Sequence, residues 1–546
     1  MAAWFLLKLG FLTSVILSGA QSDHTHTPHS RQHEAFFAGM QLPSQFLQAI
    51  DDCPHMQDTG STPNCGFKSS ESSKLSIMRV PMKHRENHPL HKKQSKTESL
   101  QHSVLRDAHR IQGIGMKTLY SSFLASSPEL NSMASAAPSP LFVGGKDSPP
   151  PFQPPATSVA PSPAPSTWPQ SISSHVESGV TLGSGEYFMD VYMGTPPKHF
   201  MLIIDTGSDL VWTQCNPCKN CYEQQDPIFT PNASSSYKLL TCTDPQCKLV
   251  YNVDGGEACS KQKPHSCRYS YWYGDKSNTT GDLALESITF NLGSGQPYSL
   301  NDIVFGCGHS NEGLFKGAGG LLGLGKGPLS FPSQLHNRFG RKFSYCLVNR
   351  NSNMSISSTL TFGEDNALVQ HPDVQYTGFV KHTYVTTFYY LSVRKVSVGG
   401  KDIDAPATAW AVDQRGQGGT IIDSGTTLTY FVKEVYEKIA QAFDTQVIYP
   451  KVESSLLDHC YNLSGHRQVQ LPAFSIMFED GAVLSPPVVN YFIEVETDPP
   501  TICLAILETP SGSPSILGNY LQQNIHLLYD LDSQRLGFAP MECSAI

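Results

Sequence analysis

The chain has 546 residues, 39% of them hydrophobic, and 47 acidic against 38 basic side chains leave a formal charge of −9. That length is too great for one small domain and ample for two lobes with appendages, so burying a large core poses no difficulty. The charge is unevenly placed: Lys74 to Lys117 carries ten Lys or Arg against three acids, whereas residues 180–546 carry 24 basic and 35 acidic side chains. A basic arm for nucleic acid is one reading of that split, but in an exported chain an intramolecular acidic partner fits better. No nucleic-acid partner is expected.

Export is read from the N-terminal residues. Leu9 to Leu17 is a short apolar run after Lys8, and Ser18-Gly19-Ala20 puts small residues where a secretory signal is cut. The run falls short of the roughly 20 apolar residues that span a bilayer, and the chain ends in no apolar tail. Residues 1–20 are therefore expected to be a signal peptide, with no membrane anchor and a destination in the apoplast or a vacuole. Residues 21–137 are polar and rich in Ser and His, with a helix expected around Ser103 to Met116, and are read as a propeptide. His24, His26, His29 and His33 could bind metal on composition alone, but they sit in an unpatterned tract, and no metal is expected. From Pro138 to Pro169 eleven of 32 residues are proline. Such a stretch is an extended linker that packs no core, and it is taken to run to residue 179.

Beyond it the texture changes to alternating apolar residues punctuated by Gly, Pro and Asn, which predicts an all-β-dominated body. Tyr187 to Met193, the turn Gly194-Thr195-Pro196-Pro197 and His199 to Ile204 read as strand, turn and strand, ending at Asp205. The frame Ile203-Ile204-Asp205-Thr206-Gly207-Ser208 returns 218 residues later as Ile421-Ile422-Asp423-Ser424-Gly425-Thr426. Each puts a carboxylate at the end of an apolar strand. Asp58-Thr59-Gly60 lacks such a strand before it and reads as a loop. Leu321-Leu322-Gly323 follows the first acid and Ile516-Leu517-Gly518 the second, so the order of elements repeats. One module used twice gives lobes at 180–348 and 349–546. Val432, Val435, Tyr436, Ile439, Ala440 and Phe443 share one face of a helix just after the second acid.

Gly320-x-x-x-x-Gly325-Lys326 resembles the start of a phosphate loop, but Gly327 stands where that loop needs Ser or Thr. It reads as a turn bracing the first aspartate loop, with Lys326 at the surface. Fourteen cysteines in an exported chain argue for disulfides, twelve of them from Cys215 to Cys543. The spacing Cys215-x-x-Cys218-x-x-Cys221 could suit a metal, yet no neighbouring Cys/His cluster completes a tetrahedral set. Asn232, Asn278, Asn353 and Asn462 each begin a glycosylation triplet.

These motifs resemble the pepsin-type aspartic proteases, in their plant nepenthesin-like branch. The match runs from about Gly183 to Ala539 and rests on Gly185-Glu186-Tyr187-Phe188, Asp205-Thr206-Gly207-Ser208 with Trp212, Tyr273-Gly274-Asp275, Phe305-Gly306-Cys307-Gly308, Asp423-Ser424-Gly425-Thr426-Thr427 and Leu517-Gly518-Asn519. No saposin-like insertion interrupts the second lobe. The fold implied is bilobal and β-rich with a few short helices. Asp205 and Asp423 would face each other and share one proton, because two adjacent carboxylates cannot both ionise. The ionised member would take a proton from a water that attacks the peptide carbonyl, while its partner hydrogen-bonds the carbonyl oxygen. Gly207 and Gly425 would let backbone NH groups approach the carboxylates. Thr206 and Ser424 would donate hydroxyl bonds across to the opposite loop, and Ser208 and Thr426 to the outer carboxylate oxygens. Tyr273 would sit on a flap supported by Trp212.

By order along the chain the resemblance implies disulfides Cys215 with Cys218, Cys221 with Cys307, Cys242 with Cys267, Cys247 with Cys259, Cys346 with Cys543, and Cys460 with Cys503. The long proline-rich linker and the extra pair Cys53 and Cys65 depart from the pattern. The protein expected is a secreted monomeric endopeptidase made as a zymogen, needing no cofactor, with its own propeptide and polypeptide substrates as partners. A pepsin fold kept as a catalytically silent binding or inhibitor protein is the alternative.

Overall fold

The structure, a computed structural model, describes residues 96–126, 171–178, 185–250, 259, 266–292, 296–315, 317–350, 352, 356–383 and 385–545. The signal segment, the histidine cluster, Asp58, Cys53, Cys65, Asn353 and the linker tract to residue 170 lie outside them. Residues 65–465 with 470–546 form one compact unit; of the other, residues 1–64 with 466–469, only the bend at 466–469 is described. Among the described residues no helix is long and apolar enough to cross a membrane.

Strand pairing explains where both acids end up. β1 (Ser171–Ser178) lies within the tract read as linker, yet it pairs with β2 (Tyr187–Met193), so the ordered body starts earlier than composition suggests. β3 (Lys198–Asp205) pairs antiparallel with β2, Phe188 opposite Ile203. β4 (Trp212–Gln214) follows the first aspartate loop, and β5 (Arg268–Trp272), β6 (Asn278–Asn291) and β7 (Pro297–Glu312) form a meander beyond the cysteine-rich insertion. β8 (Gly320–Gly323) runs parallel to β3, Leu322 opposite Ile204 and Gly323 opposite Asp205, and antiparallel to β4.

The second half repeats this register. β9 (Thr420–Ile422), β10 (Thr429–Phe431) and β11 (Ser515–Leu517) stand in the places of β3, β4 and β8: β9 runs parallel to β11, Ile422 opposite Leu517, and Tyr430 pairs antiparallel with Ile516. Parallel strands buried on both faces must be apolar throughout, which is why both acids follow Ile-Ile. Each half has its own core, one around Phe188, Ile203, Trp212, Leu283 and Leu321, the other around Tyr390, Ile421, Leu428, Tyr430 and Ile516. Two helices matter to the site. α1 (Lys96–Ser126) is longer than the Ser103 to Met116 expected. α2 (Lys433–Gln446) buries Val435, Ile439, Ala440 and Phe443, four of the six residues assigned to its inner face.

The disulfides correct the inferred pairing at four cysteine pairs. β4 pairs parallel with β7, Thr213 opposite Cys307, which carries Cys215 alongside and links Cys215 to Cys307 at a Cα separation of 5.3 Å. Cys218 and Cys221 then close a short loop. Cys242 pairs with Cys259 and Cys247 with Cys267. Cys247 Sγ lies 3.5 Å from Cys259 Sγ, so order along the chain chose the wrong partners within one cluster. Cys346–Cys543 and Cys460–Cys503 are as implied. Asn232 is exposed and Asn462 half-buried. Asn278 is buried in β6, which argues against a glycan there.

The outer end of β3 is pinned by a histidine. His199 reaches Asp226 of the cysteine-rich insertion through Nδ1 at 2.7 Å and Asp190 of β2 through Nε2 at 2.6 Å. The bonds to Asp190 and Asp226 raise its pKa to about 9, outweighing burial. A raised pKa stabilises the fold fully below the ordinary value near 6.5 and loses that contribution as pH rises through about 9. The thermal midpoint should therefore decline as pH is taken from about 7 to 10; His199→Gln should lower it at neutral pH and flatten the decline, measured by calorimetry.

Candidate active site

The two acids meet across the halves. Asp205 and Asp423 are fully buried. Gly207 N donates to Asp205 Oδ1 and Gly425 N to Asp423 Oδ1, each at 3.0 Å, while Ser208 Oγ donates to Asp205 Oδ2 at 2.5 Å and Thr426 Oγ1 to Asp423 Oδ2 at 2.6 Å. Each carboxylate thus receives one backbone and one hydroxyl donor from its own loop. A Cβ at Gly207 would lie 2.8 Å from Asp423 Oδ1, and one at Gly425 would overlap Asp205 Oδ1, so both positions exclude a side chain because the opposite carboxylate is there.

The loops are tied by reciprocal bonds. Thr206 N donates to Ser424 Oγ at 3.0 Å, and Ser424 N donates to Thr206 Oγ1 at 2.8 Å. Both hydroxyls therefore accept across the divide; Ser424 Oγ also donates across it as expected, at 3.1 Å to Ile204 O, whereas the cross-loop bond of Thr206 Oγ1 is one it accepts. Asn519 Nδ2 donates to Gly185 O and Ser424 O, both at 2.9 Å, joining the approach to β2 to the second loop.

β5 and β6 form the hairpin predicted as a flap, and its turn is closed by Tyr273 N donating to Ser277 O at 2.8 Å. Trp212 Nε1 donates to Tyr273 Oη at 2.6 Å, and both rings are buried. At the other flank Gly327 N and Thr387 Oγ1 donate to Asp209, bracing the first loop as the glycine-rich turn should. Lys326, expected at the surface, is half-buried near the Phe379 and Tyr389 rings, and burial lowers its pKa to about 8.

What the sequence did not disclose is the group between the carboxylates. Arg110 of α1 donates from Nη2 to Asp205 Oδ1 at 2.5 Å, from Nε to Asp423 Oδ2 at 2.9 Å and from Nη2 to Asp423 Oδ1 at 3.2 Å. Burial would lower the Arg110 pKa, but the charges of Asp205 and Asp423 and the bonds to them raise it well above its ordinary value. Burial likewise pushes the Asp423 carboxyl up, yet the Arg110 charge, the Thr426 and Arg110 bonds and the Gly425 NH together hold it below the usual carboxylate value. One turn earlier, Arg106 pairs through Nη1 with Glu186 and donates from Nη2 to Thr427 Oγ1 at 2.7 Å. Asp107 accepts from Thr427 N and Leu428 N at 3.0 and 2.9 Å. Ile111 and Ile114 join the second core. The charge of the basic segment points to docking on the acidic body. Only the i, i+4 pair Arg106 and Arg110 beside Ile111 and Ile114 could have pointed to the face that docks.

Residues 187–364 match the family model described as xylanase inhibitor N-terminal, and residues 388–540 that described as xylanase inhibitor C-terminal. The chain is 42% identical over 375 residues to aspartyl protease family protein 2 of Arabidopsis thaliana, an alignment covering 68% of this chain and 74% of that protein. The chain belongs to the pepsin-like aspartic proteases. It is an aspartic-type endopeptidase of that family, also 40% identical over 384 residues to aspartic proteinase nepenthesin-1 of Nepenthes gracilis, covering 68% of this chain and 81% of that one. Among solved structures, edgp aligns with a TM-score of 0.58 at 18% identity over 70% of this chain and 97% of its own, and soybean basic 7S globulin with 0.54 at 18% over 68% and 97%. These two share the fold.

The reciprocal loop bonds are buried and hold the halves in register. Thr206→Val removes an acceptor and leaves the Ser424 NH unsatisfied, so it should cost about 1–3 kcal/mol of stability. Denaturant unfolding of the variant measures this, and a loss below about 0.5 kcal/mol would contradict the role given to the bond.

Proposed function

We propose that this chain is a secreted aspartic endopeptidase made as a zymogen, in which α1 is the inhibitory segment and Asp205 and Asp423 are the catalytic pair. The observation that carries the reading is that one guanidinium hydrogen-bonds both carboxylates. Groups close enough to share Arg110 are close enough to share a proton and a water once Arg110 leaves. The ionised member then deprotonates the water that attacks the scissile carbonyl, and the protonated member donates to the carbonyl oxygen. Trp212 and Tyr273 support a flap that shields this step from solvent.

Alpha-helical geometry explains why α1 blocks the site without being cut. Its carbonyls are taken up by NH groups four residues on, so none is presented to the pair as a scissile carbonyl. Gly113 lies against Gly274 of the flap, where neither position has room for a Cβ, and the helix is held between flap and carboxylates.

The pH response follows from two buried acids with opposite signs. With Arg110 docked the Asp423 carboxyl is depressed, so its contribution to docking is present above its free pKa and lost as pH falls through the depressed value. Asp107 works against this. Its carboxyl is raised by burial, against the pull of Arg106 and of the Thr427 and Leu428 NH groups, so its contribution weakens as pH rises. The Asp423 effect dominates because protonating the pair strands a buried guanidinium, at about 3–5 kcal/mol, whereas Arg106 keeps Glu186 and Thr427 when Asp107 protonates. Acid therefore releases α1.

The silent-binder reading has the names of the two family models and of the globulin neighbour behind it. Against it stand both intact aspartate loops and the Trp212 to Tyr273 contact. Freed of its propeptide, the protein should cleave a denatured protein at acidic pH with full sensitivity to pepstatin, and Asp205→Asn should lower the rate on the order of 10^3-fold. Absence of cleavage after verified propeptide removal would move the assignment to the binding reading. In the full-length chain Arg110→Gln should give activity before processing at a pH where the unsubstituted chain is silent; equal latency would refute α1 as the inhibitor.

A further inference from the structure

We propose that Tyr345, Tyr529 and Gln522 are positioning residues for the catalytic pair, joined in a one-way hydrogen-bond chain that runs from the first aspartate loop to the backbone of Asp423. The inference rests on the endopeptidase reading above and concerns how the second acid is held in place. All three side chains are buried and belong to the body, not to α1.

The two halves, otherwise alike, hold the carbonyls of their acids differently. Leu324, which follows Leu322-Gly323, donates its NH to Asp205 O at 2.8 Å. Asn519 stands at the same place after Leu517-Gly518, yet its NH goes to Thr426 O at 2.8 Å. Asp423 O accepts instead from the side chain of Gln522, whose Nε2 donates to it at 3.3 Å and to Leu517 O at 2.9 Å. A side-chain amide thus does in the second half what a backbone NH does in the first, and its orientation has to be fixed from elsewhere.

Two carbonyls at the Gln522 nitrogen turn its Oε1 the other way, where Tyr345 Oη donates to it at 2.5 Å. A phenol has one proton to give. With that of Tyr345 given to Gln522, the 2.7 Å contact between Tyr345 Oη and Tyr529 Oη requires Tyr529 to donate. The Tyr529 oxygen is then free to accept from the Thr206 hydroxyl, its partner in the first loop, which itself accepts from Ser424 N at 2.8 Å. Every proton in the chain has one place to go. Burial above all raises both phenols beyond their ordinary pKa, so neither proton is lost in the acid range. The rings are fixed as well. Tyr345 and Tyr529 come from antiparallel strands paired across the halves, Lys342–Cys346 and Ile525–Asp530, and the Tyr529 ring stacks on Phe343 at 4.6 Å and meets the Tyr389 ring edge-on at 4.6 Å.

The test uses the chain freed of its propeptide, with working sites counted by pepstatin titration so that misfolded protein does not enter kcat. Tyr345→Phe and Gln522→Met nearly keep the side-chain volume and lose the bonds. Each should lower kcat per titrated site about tenfold, through slight misplacement of a reacting group. KM should stay within about twofold, because these buried side chains act through the Asp423 backbone and not on the substrate. The double variant should be no slower than the slower single, since both substitutions break one chain. An unchanged kcat per site, a loss confined to KM, or losses that multiply in the double variant would overturn the proposal. Should Gln522→Met fail to fold, Tyr529→Phe, which keeps the stacked ring, completes the same cycle with Tyr345→Phe. Absence of cleavage by the unsubstituted protein would mean that the endopeptidase reading has failed, an outcome distinct from cleavage that the substitutions leave unchanged.

Discussion

Bringing two carboxylates together in a dry site is the constraint on which the rest of this molecule depends. Like charges at that separation repel strongly, and burial removes the water that would screen them. The structure answers with donors on every side: the Gly207 and Gly425 amides, the Ser208 and Thr426 hydroxyls and, between the two acids, the Arg110 guanidinium. The loop donors remain after α1 leaves. In the proposed zymogen reading the guanidinium leaves with α1, and the pair then takes up a proton, the state that acid–base catalysis requires.

The two-half architecture serves that constraint. A single chain segment cannot easily present two carboxylates to each other at the ends of parallel strands, but two copies of one strand arrangement facing across a cleft can. Equivalent registers, Ile204 with Leu322 and Ile422 with Leu517, deliver the acids from buried strands whose apolar packing fixes their position. The Thr206 and Ser424 bonds then lock one loop to the other. The closeness of the two acids also excludes a side chain at Gly207 and Gly425, where a Cβ would crowd the opposite carboxylate and the Arg110 guanidinium.

Much of this was legible in the residues because it is local or periodic. The strand to Asp205 and the helix over Val432 to Phe443 follow from apolar spacing and turn residues, Leu321-Leu322-Gly323 from its repeated position after the acid, and the hairpin carrying Tyr273 from the resemblance to the pepsin-type proteases. What was not legible depended on tertiary placement. Disulfide partners around Cys242, Cys247, Cys259 and Cys267 lie within one cluster, where chain order carries no information about contact. The direction of the Thr206 and Ser424 bonds is set by backbone orientation. The start of the body at Ser171 was hidden by the proline-rich composition just before it. Arg110 was visible as one of ten basic residues and through its i, i+4 spacing from Arg106, which marks a shared helix face but does not distinguish a guanidinium that will be buried from one that will face water.

Hydrogen–deuterium exchange of the full-length protein across pH addresses the central claim most directly, read on the amides of residues 104–118 and corrected for the intrinsic pH dependence of exchange. The account predicts strong protection of that segment near neutral pH, lost as the medium is acidified enough to protonate Asp423, and diminished at every pH in Arg110→Gln. Protection that is equal at neutral and acidic pH, or undiminished by the Arg110 substitution, would contradict the claim that the ion pair with the two aspartates holds the helix in the cleft.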